Sequence, residues 1–317
     1  MGVAATKTGQ VVKLDRDFPL VELKGGQTLR CEHAAAVVRE NKMRATIGDV
    51  VEVAHTKEND MGIISSIHPR KTKLVRKDPV DGARIQVLGA NFDKIAVVHE
   101  LGKLNMRRLE RELVLAHATG AQVIVALTKA DLTKNADNAK TTVENVRALV
   151  GSSVAVFAVS IKDALSIQRL KAQLCEGTTT VLVGKSGAGK SSLINALAGK
   201  NVQDTACVRK TDGRGRHTTV SRKIVEIPQA GRVVDMPGIR GLGLLGAEGG
   251  MRKAFVDVYE LASGCKFRNC THTTEPGCAV LAAVEAGKLN LTRLESFQVL
   301  SAEVDRHNCA FKRAKNG

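Results

Sequence analysis

Residues 183–192 read VGKSGAGKSS, with Gly184, Gly189, Lys190 and Ser191 at the spacing G-x-x-x-x-G-K-S. That pattern is built to hold phosphate. Its glycines free the backbone so that successive N–H groups wrap an anion, and the helix that follows adds the positive end of its dipole. Lys185, Ser186, Gly187, Ala188 and Ser192 complete the loop. Lys190 is expected on the β- and γ-phosphates of a nucleotide, and Ser191 on its Mg²⁺ ion. The apolar TTVLV before the loop and the helical SSLINALAG after it supply the strand and helix such a loop requires.

A phosphate loop does not choose the base. The segment TKAD (128–131) ends the apolar run AQVIVAL, and Asp131 there can accept both N–H donors of a guanine edge. Adenine presents the opposite pattern and would leave the carboxylate unpaired, so the element selects guanine. The stem of Lys129 is expected to pack on the base, and Ser160, ending SVAVFAVS, to close over it. Thr128 stands where most GTPases carry Asn; its shorter reach implies lower guanine affinity with discrimination kept by Asp131. Downstream, GRVVDMPG places Asp235 to hold Mg²⁺ through water and the Gly238 N–H to sense the γ-phosphate. In GRGRHTT (213–219), Thr218 or Thr219 completes the Mg²⁺ shell. The order is base element, phosphate loop, switch, DxxG, whereas an ordinary GTPase begins with the phosphate loop. The parts are all present but rotated, as in a circular permutation, which a sheet with adjoining termini tolerates.

A second chemistry stands nearer the C-terminus. CKFRNCTHTTEPGC gives Cys265-x4-Cys270-x-His272-x5-Cys278, a closed set of thiolates and imidazole suited to one structural Zn²⁺ per chain. With no open ligand position, catalysis at that metal is not expected. Cys31, Cys175, Cys207 and Cys309 read as ordinary residues.

The elements that must position these residues follow from periodicity. Up to about residue 80, short runs such as VVKL, LVELKG, TLRCE, GDVVEVA and MGIISSI have strand length and strand spacing, which predicts a small all-β barrel. Residues 80–92 read as a linker or entry segment. From 93, DKIAVVHEL, AQVIVALTKADL, SVAVFAVS and TTVLVGKS alternate with amphipathic stretches such as MRRLERELVLAHA (106–118), the pattern of a parallel sheet with helices. A glycine-rich hinge, GLGLLGAEGG (241–250), leads into a helical tail. The expected domains are therefore 1–80, 81–245 and 246–317.

Charge names a partner class. The 317-residue chain carries a net +16, concentrated in PRKTKLVRK (69–77) and RKTDGRGRHTTVSRK (209–223), and this points to nucleic acid. Aromatics are 3% with no Trp, which favours the phosphates of folded, double-helical RNA over stacked single-stranded bases. No apolar run is long enough for a membrane span and no secretory signal is evident, so a cytoplasmic protein with no membrane partner is expected.

Taken together, the β-rich front ending in RKTKLVR, the rotated GTPase motifs, GRGRHTT, DMPGIRGLGL and the Cys/His tail resemble the circularly permuted, small-ribosomal-subunit-dependent GTPases of the RsgA (YjeQ/EngC) family. The resemblance implies an N-terminal OB-type barrel, a circularly permuted P-loop GTPase domain and a C-terminal helical zinc-binding domain. It also implies a late checkpoint in small-subunit maturation, with GTP hydrolysis to GDP stimulated by the subunit and its rRNA, carried out by a monomer. Ile239 stands just after DMPG, where many GTPases place Gln, and an aliphatic side chain cannot orient water. His217 is the candidate for that task, beside Lys190, Thr218 and Thr219. Two other readings remain open: a P-loop ATPase that remodels RNA, and an RNA-binding factor whose nucleotide is only a ligand switch.

Overall fold

The N-terminal strands follow the period-two rule. In β2 (Phe18–Leu23), Pro19, Val21 and Leu23 are buried while the residues between them are not. Together β1 (Ala5–Asp15), β2, β3 (Thr28–His33), β4 (Val50–His55) and β5 (Met61–Ile67) pair in the order β1-β2-β3-β5-β4, and β4 returns to β1 to close a barrel. The β3–β5 pairing is parallel and the others antiparallel. Helix α1 (Ala35–Asn41) bridges β3 and β4. Val11, Val21, Cys31, Val51, Val53 and Ile64 fill the interior, each with no exposed surface. Cys31 is thus a small core residue, its thiol pushed up to about 11 mainly by burial. The computed structural model describes residues 5–15, 18–41, 44–55, 61–78, 84–133, 135–203, 222–236 and 242–316.

After β6 (Lys73–Lys77) and β7 (Ile85–Ala90), the strand rhythm changes. Strands β8 (Lys94–Glu100), β9 (Gln122–Thr128) and β11 (Thr179–Val183) are buried along nearly their whole length, as strands covered on two faces must be. With β10 (Ala155–Ala158), β12 (Arg222–Glu226) and β13 (Arg232–Asp235) they form a sheet of order β10-β9-β8-β11-β13-β12. All its pairings are parallel except β12 with β13. The phosphate-loop strand β11 therefore sits mid-sheet although it is fourth of these six in sequence, the topological signature of the rotation. Helices α4 (Ala164–Lys171) and α5 (Lys190–Ala198) bury Ile167, Leu170, Leu193, Ile194 and Leu197 with Val98, Ile124, Leu182 and Val233. Each such side chain contributes about 1.5–3 kcal/mol when fully removed from water. The tip of β1, beyond a register shift between Val11 and Lys13, pairs antiparallel with β12 through Lys13↔Lys223 and Leu14↔Arg222. Barrel and nucleotide-type sheet are one continuous sheet of 11 strands.

These strands, with α3 (Ala136–Val150), α4 and α5, belong to one compact unit formed by Met1–Val75, Gln86–Leu104 and Gly120–Arg240. The second unit comprises Arg76–Ile85, Asn105–Thr119 and Gly241–Gly317. It holds α2 (Met106–Ala118), α6 (Glu248–Ala254), α7 (Val256–Ala262), α8 (Ala279–Glu285) and α9 (Leu291–Asn316). Asn105 caps α2 by accepting from the Arg108 N–H at 2.9 Å. Inside the unit, buried Arg293 donates to Glu110 at 2.7 Å and to Asp257 at 2.9 Å, and lies 4.0 Å over the Phe255 ring. Phe297 meets Phe255 and Tyr259 edge-on. Among the described residues no helix is long and apolar enough to cross a membrane.

Two local expectations change. Residues 85–90, read as linker or entry segment, form β7, where Leu88 and Ala90 are buried. The glycine-rich stretch 241–250 becomes helix from Glu248, and Gly250 is there for packing. A Cβ on it would lie 2.2 Å from the Val114 carbonyl oxygen of α2.

Candidate nucleotide site and metal cluster

The phosphate loop leaves the C-terminal end of β11. Gly184, Gly187 and Gly189 take φ of 151°, 82° and 91°, in the region that disfavours side chains. At Gly184 a Cβ would also lie 2.2 Å from the Val98 carbonyl of β8, so the strand exit is packed against its neighbour. Lys185, Ser186 and Gly187 are exposed, whereas Ala188 and Lys190 are buried. No side chain caps the N-terminus of α5 at Gly189, leaving the first N–H groups, Ser191 and Ser192 among them, for an anion. Lys190 Nζ donates to the Gly184 carbonyl at 3.2 Å across the loop.

Asp235, at the end of β13, meets the same loop. Ser191 Oγ donates to Asp235 Oδ2 at 3.0 Å, and Lys190 Nζ lies 3.9 Å from Oδ1. Burial raises the Asp235 pKa, opposed by Lys190 and the Ser191 hydrogen bond. Oδ1 is buried without a hydrogen-bond partner, a costly state unless another group takes it. A hydroxyl and a carboxylate side by side, with one carboxylate oxygen unspent, fit a hard divalent cation such as Mg²⁺.

The base element ends β9. Thr128 Oγ1, buried, lies 2.5 Å from the Ala188 carbonyl and 3.1 Å from that of His99, so its proton ties TKAD to the phosphate loop. Lys129 adopts a left-handed backbone (φ 56°) and donates to the Gly187 carbonyl at 2.9 Å and to Glu100 Oε2 at 2.7 Å. Asp131 Oδ1 accepts from Ser160 Oγ at 2.7 Å, and Lys162 Nζ lies 3.1 Å from Oδ2. The Ser160 bond, then the contact with Lys162, lowers the Asp131 pKa and keeps it an acceptor.

Thr128, Lys129, Asp131, Ser160, the loop 184–192 and Asp235 thus share one end of one sheet. Gly238, Ile239, His217, Thr218 and Thr219 lie outside the described residues. Sequence reasoning did not find Glu100 or Lys162. Glu100 is a strand-end carboxylate with no motif around it; Lys162 follows Ser160 by two residues, and its charge beside Asp131 was a usable signal.

In the second unit, the ligand atoms of Cys265, Cys270, His272 and Cys278 lie within 4.8 Å of one another. Cys265 Sγ to Cys278 Sγ is 3.8 Å, Cys265 Sγ to His272 Nδ1 is 3.7 Å and His272 Nδ1 to Cys278 Sγ is 3.4 Å. A tetrahedral site with zinc's usual bond lengths has S···S edges of about 3.8 Å and S···N edges of about 3.6 Å. The set fits zinc. Burial lowers the His272 pKa, favouring the neutral ligand form, and Gln298 donates to its backbone carbonyl at 2.6 Å. Glu275 accepts from the Thr271 hydroxyl at 2.5 Å and from the N–H groups of Thr271, Thr273 and Thr274, which fixes the loop and lowers its own pKa.

Comparison with known proteins agrees with this geometry. The family model described as RsgA GTPase matches residues 67–245. The protein of Methanosarcina acetivorans called small ribosomal subunit biogenesis GTPase RsgA is 40% identical over 280 residues, covering 88% of this chain and 74% of that one. The Streptomyces avermitilis protein of the same name is 39% identical over 299 residues, covering 94% and 80%. The crystal structure of YjeQ from Thermotoga maritima superposes with a TM-score of 0.70 at 25% identity, covering 95% of this chain and 99% of that one. YloQ, described as a circularly permuted GTPase, shares the fold with a TM-score of 0.66 at 24% identity. A rotated sheet, a guanine-type element tied to its phosphate loop and a Cys₃His cluster occur here with relatives of one kind: the chain belongs to the RsgA GTPase family.

Proposed function

We propose that this protein hydrolyses GTP to GDP and phosphate during late maturation of the small ribosomal subunit, with turnover stimulated by that subunit. The observation that carries the GTP reading is Asp131, ionised and held by Ser160 on the element that Thr128 ties to the phosphate loop. The subunit reading rests on the names of the relatives and on the net charge of +16.

In this reading Thr128, Lys129, Asp131 and Ser160 hold the guanine, and residues 184–192 cradle the phosphates. Ser191, Asp235 and one of Thr218 or Thr219 would hold Mg²⁺, which neutralises charge on the phosphates when bound. Lys190 moves from the Gly184 carbonyl to phosphate oxygens, and the Gly238 N–H senses the γ-phosphate. His217 orients the attacking water, a task Ile239 cannot perform. One structural Zn²⁺ per chain sits on Cys265, Cys270, His272 and Cys278. Residues 1–80 act as the RNA-binding barrel, 81–245 as the GTPase module and 246–317 as the zinc-bearing module; the barrel's own core supports the first and the cluster between α7 and α8 the last. The protein works as a cytoplasmic monomer on rRNA, away from membranes.

Phosphate release from GTP and from ATP, each with and without purified small ribosomal subunits, tests the reading. GTP-selective turnover that rises at least about a hundredfold with subunits is expected, and His217→Ala should lose most of that rise. Equal use of ATP would remove the guanine assignment, and indifference to subunits would remove the ribosomal one.

A further inference from the structure

The chain has few rings: Phe92, Phe255 and Phe297 are buried, Phe157, Tyr259 and Phe311 are half-buried, and two are exposed, Phe18 at 41% and Phe267 at 42%. Of the two exposed rings, Phe267 is the one set inside the metal loop. It lies between the ligands Cys265 and Cys270, at the outer turn of the metal loop, and is 42% exposed. Its neighbours Lys266, Arg268 and Asn269 are exposed too. The turn is built rather than loose. Lys266 N–H donates to the Gly277 carbonyl at 3.1 Å, and Cys270 N–H to the Phe267 carbonyl at 3.2 Å. Two ligands anchor the segment at both ends.

The charged residues next to Phe267 in the loop, Lys266 and Arg268, are both positive. Lys266 Nζ lies 5.6 Å from the Phe267 centroid. Between Cys265 and Cys278 the one carboxylate is Glu275, and it is spent on Thr271, Thr273 and Thr274. An exposed ring with a lysine amine over it and an arginine next to it in sequence, in a loop whose one carboxylate is already engaged, suits a planar group that carries phosphate. An apolar protein surface would leave both cations facing a partner that offers them nothing. A duplex would use the cations but not the ring, because its bases are already stacked.

We infer that Phe267, flanked by Lys266 and Arg268, is a stacking site for one unpaired base of RNA. The base lies on the ring, the cations take the phosphates on either side, and Asn269 is placed to meet a base edge. The inference rests on the reading of rRNA as partner, and it departs from the expectation that this chain meets RNA through phosphates of double helices alone. The metal loop, in this view, is more than a staple: it holds a ring still.

The test uses the full chain and the substitutions Phe267→Ala, Phe267→Leu and Phe267→Trp. Two probes are titrated: purified small ribosomal subunits, and a mixed-sequence single-stranded RNA carrying 2-aminopurine. Zinc content and circular dichroism confirm that each variant is folded. Stacking predicts that Ala and Leu each weaken binding at least about fivefold and abolish the 2-aminopurine quenching, while Trp retains both. Intrinsic GTP turnover without subunits should be unchanged in all three. If Leu binds subunits as well as Phe does, the site grips an apolar protein surface and the inference fails. If Ala matches wild type on both probes, it also fails. Phe267-dependent quenching in a chain that ignores subunits would keep the stacking site and overturn the ribosomal reading instead.

Discussion

At the scale of single residues, base choice depends on which groups a side chain can satisfy. Asp131 accepts from Ser160 and lies beside Lys162, which lower its pKa, so in the proposed reading it would offer guanine an ionised acceptor. Asp131→Asn replaces one acceptor with a donor. GTP and GDP affinity should fall by about two orders of magnitude, and xanthosine nucleotides, whose C2 oxygen accepts, should gain. Titration of the purified variant with GDP and XDP reads this directly; unchanged GDP affinity would remove Asp131 from the base site. That TKAD, the phosphate loop and Asp235 would come together was legible because each lies in a short motif that follows an apolar strand. Glu100, which holds Lys129 at 2.7 Å, was not, since its place is set by the register of β8 against β9. Nor was the contact of the Thr128 hydroxyl with the Ala188 carbonyl, since distances across a fold are not written in one segment.

At the scale of elements, the helices of the second unit make two predictions. Gly250 of α6 lets its backbone meet α2, and a Cβ there would stand 2.2 Å from Val114 O and 3.0 Å from Ala118 N. Gly250→Ala should therefore cost about 1–3 kcal/mol, despite the better helix propensity of Ala, and thermal unfolding would register it as a drop of several degrees. His117, on α2, has its pKa lowered from 6.5 to about 4, first by burial and then by Lys253. The folded state refuses a proton that the unfolded chain accepts. Stability should thus be flat above pH 6.5 and decline as the pH falls from there toward 4, by up to about 3 kcal/mol. His117→Gln should flatten that segment of the urea-unfolding profile. The amphipathic period of 106–118 was plain in the sequence, and the helix spans those residues. What periodicity could not supply was β7, whose six residues carry no clear alternation, or the helical role of Gly250, since glycine reads locally as a break.

At the scale of the whole molecule, strand runs and their alternation with helices gave the architecture, and the motif order gave the rotation. The single continuous sheet was not foreseen. It arises because β1, 11 residues long, outgrows the barrel and pairs with β12 at Lys13↔Lys223 and Leu14↔Arg222. A strand cannot slide by one residue without turning its whole inner set outward, and Val11 is fully buried in the barrel. Slippage is thus barred, and β12 begins at Arg222, just past the segment that carries Thr218 and Thr219. Amide exchange at Lys13, Leu14 and Lys223 should change together between the GDP-bound protein and one loaded with a non-hydrolysable GTP analogue. A change at Lys223 without one at Lys13 would sever the link. Held in this way, the barrel and the parallel sheet are two ends of one hydrogen-bonded ribbon, so that, on the proposed reading, a pull exerted by RNA at the barrel would reach the strand that follows Thr218 and Thr219 in sequence.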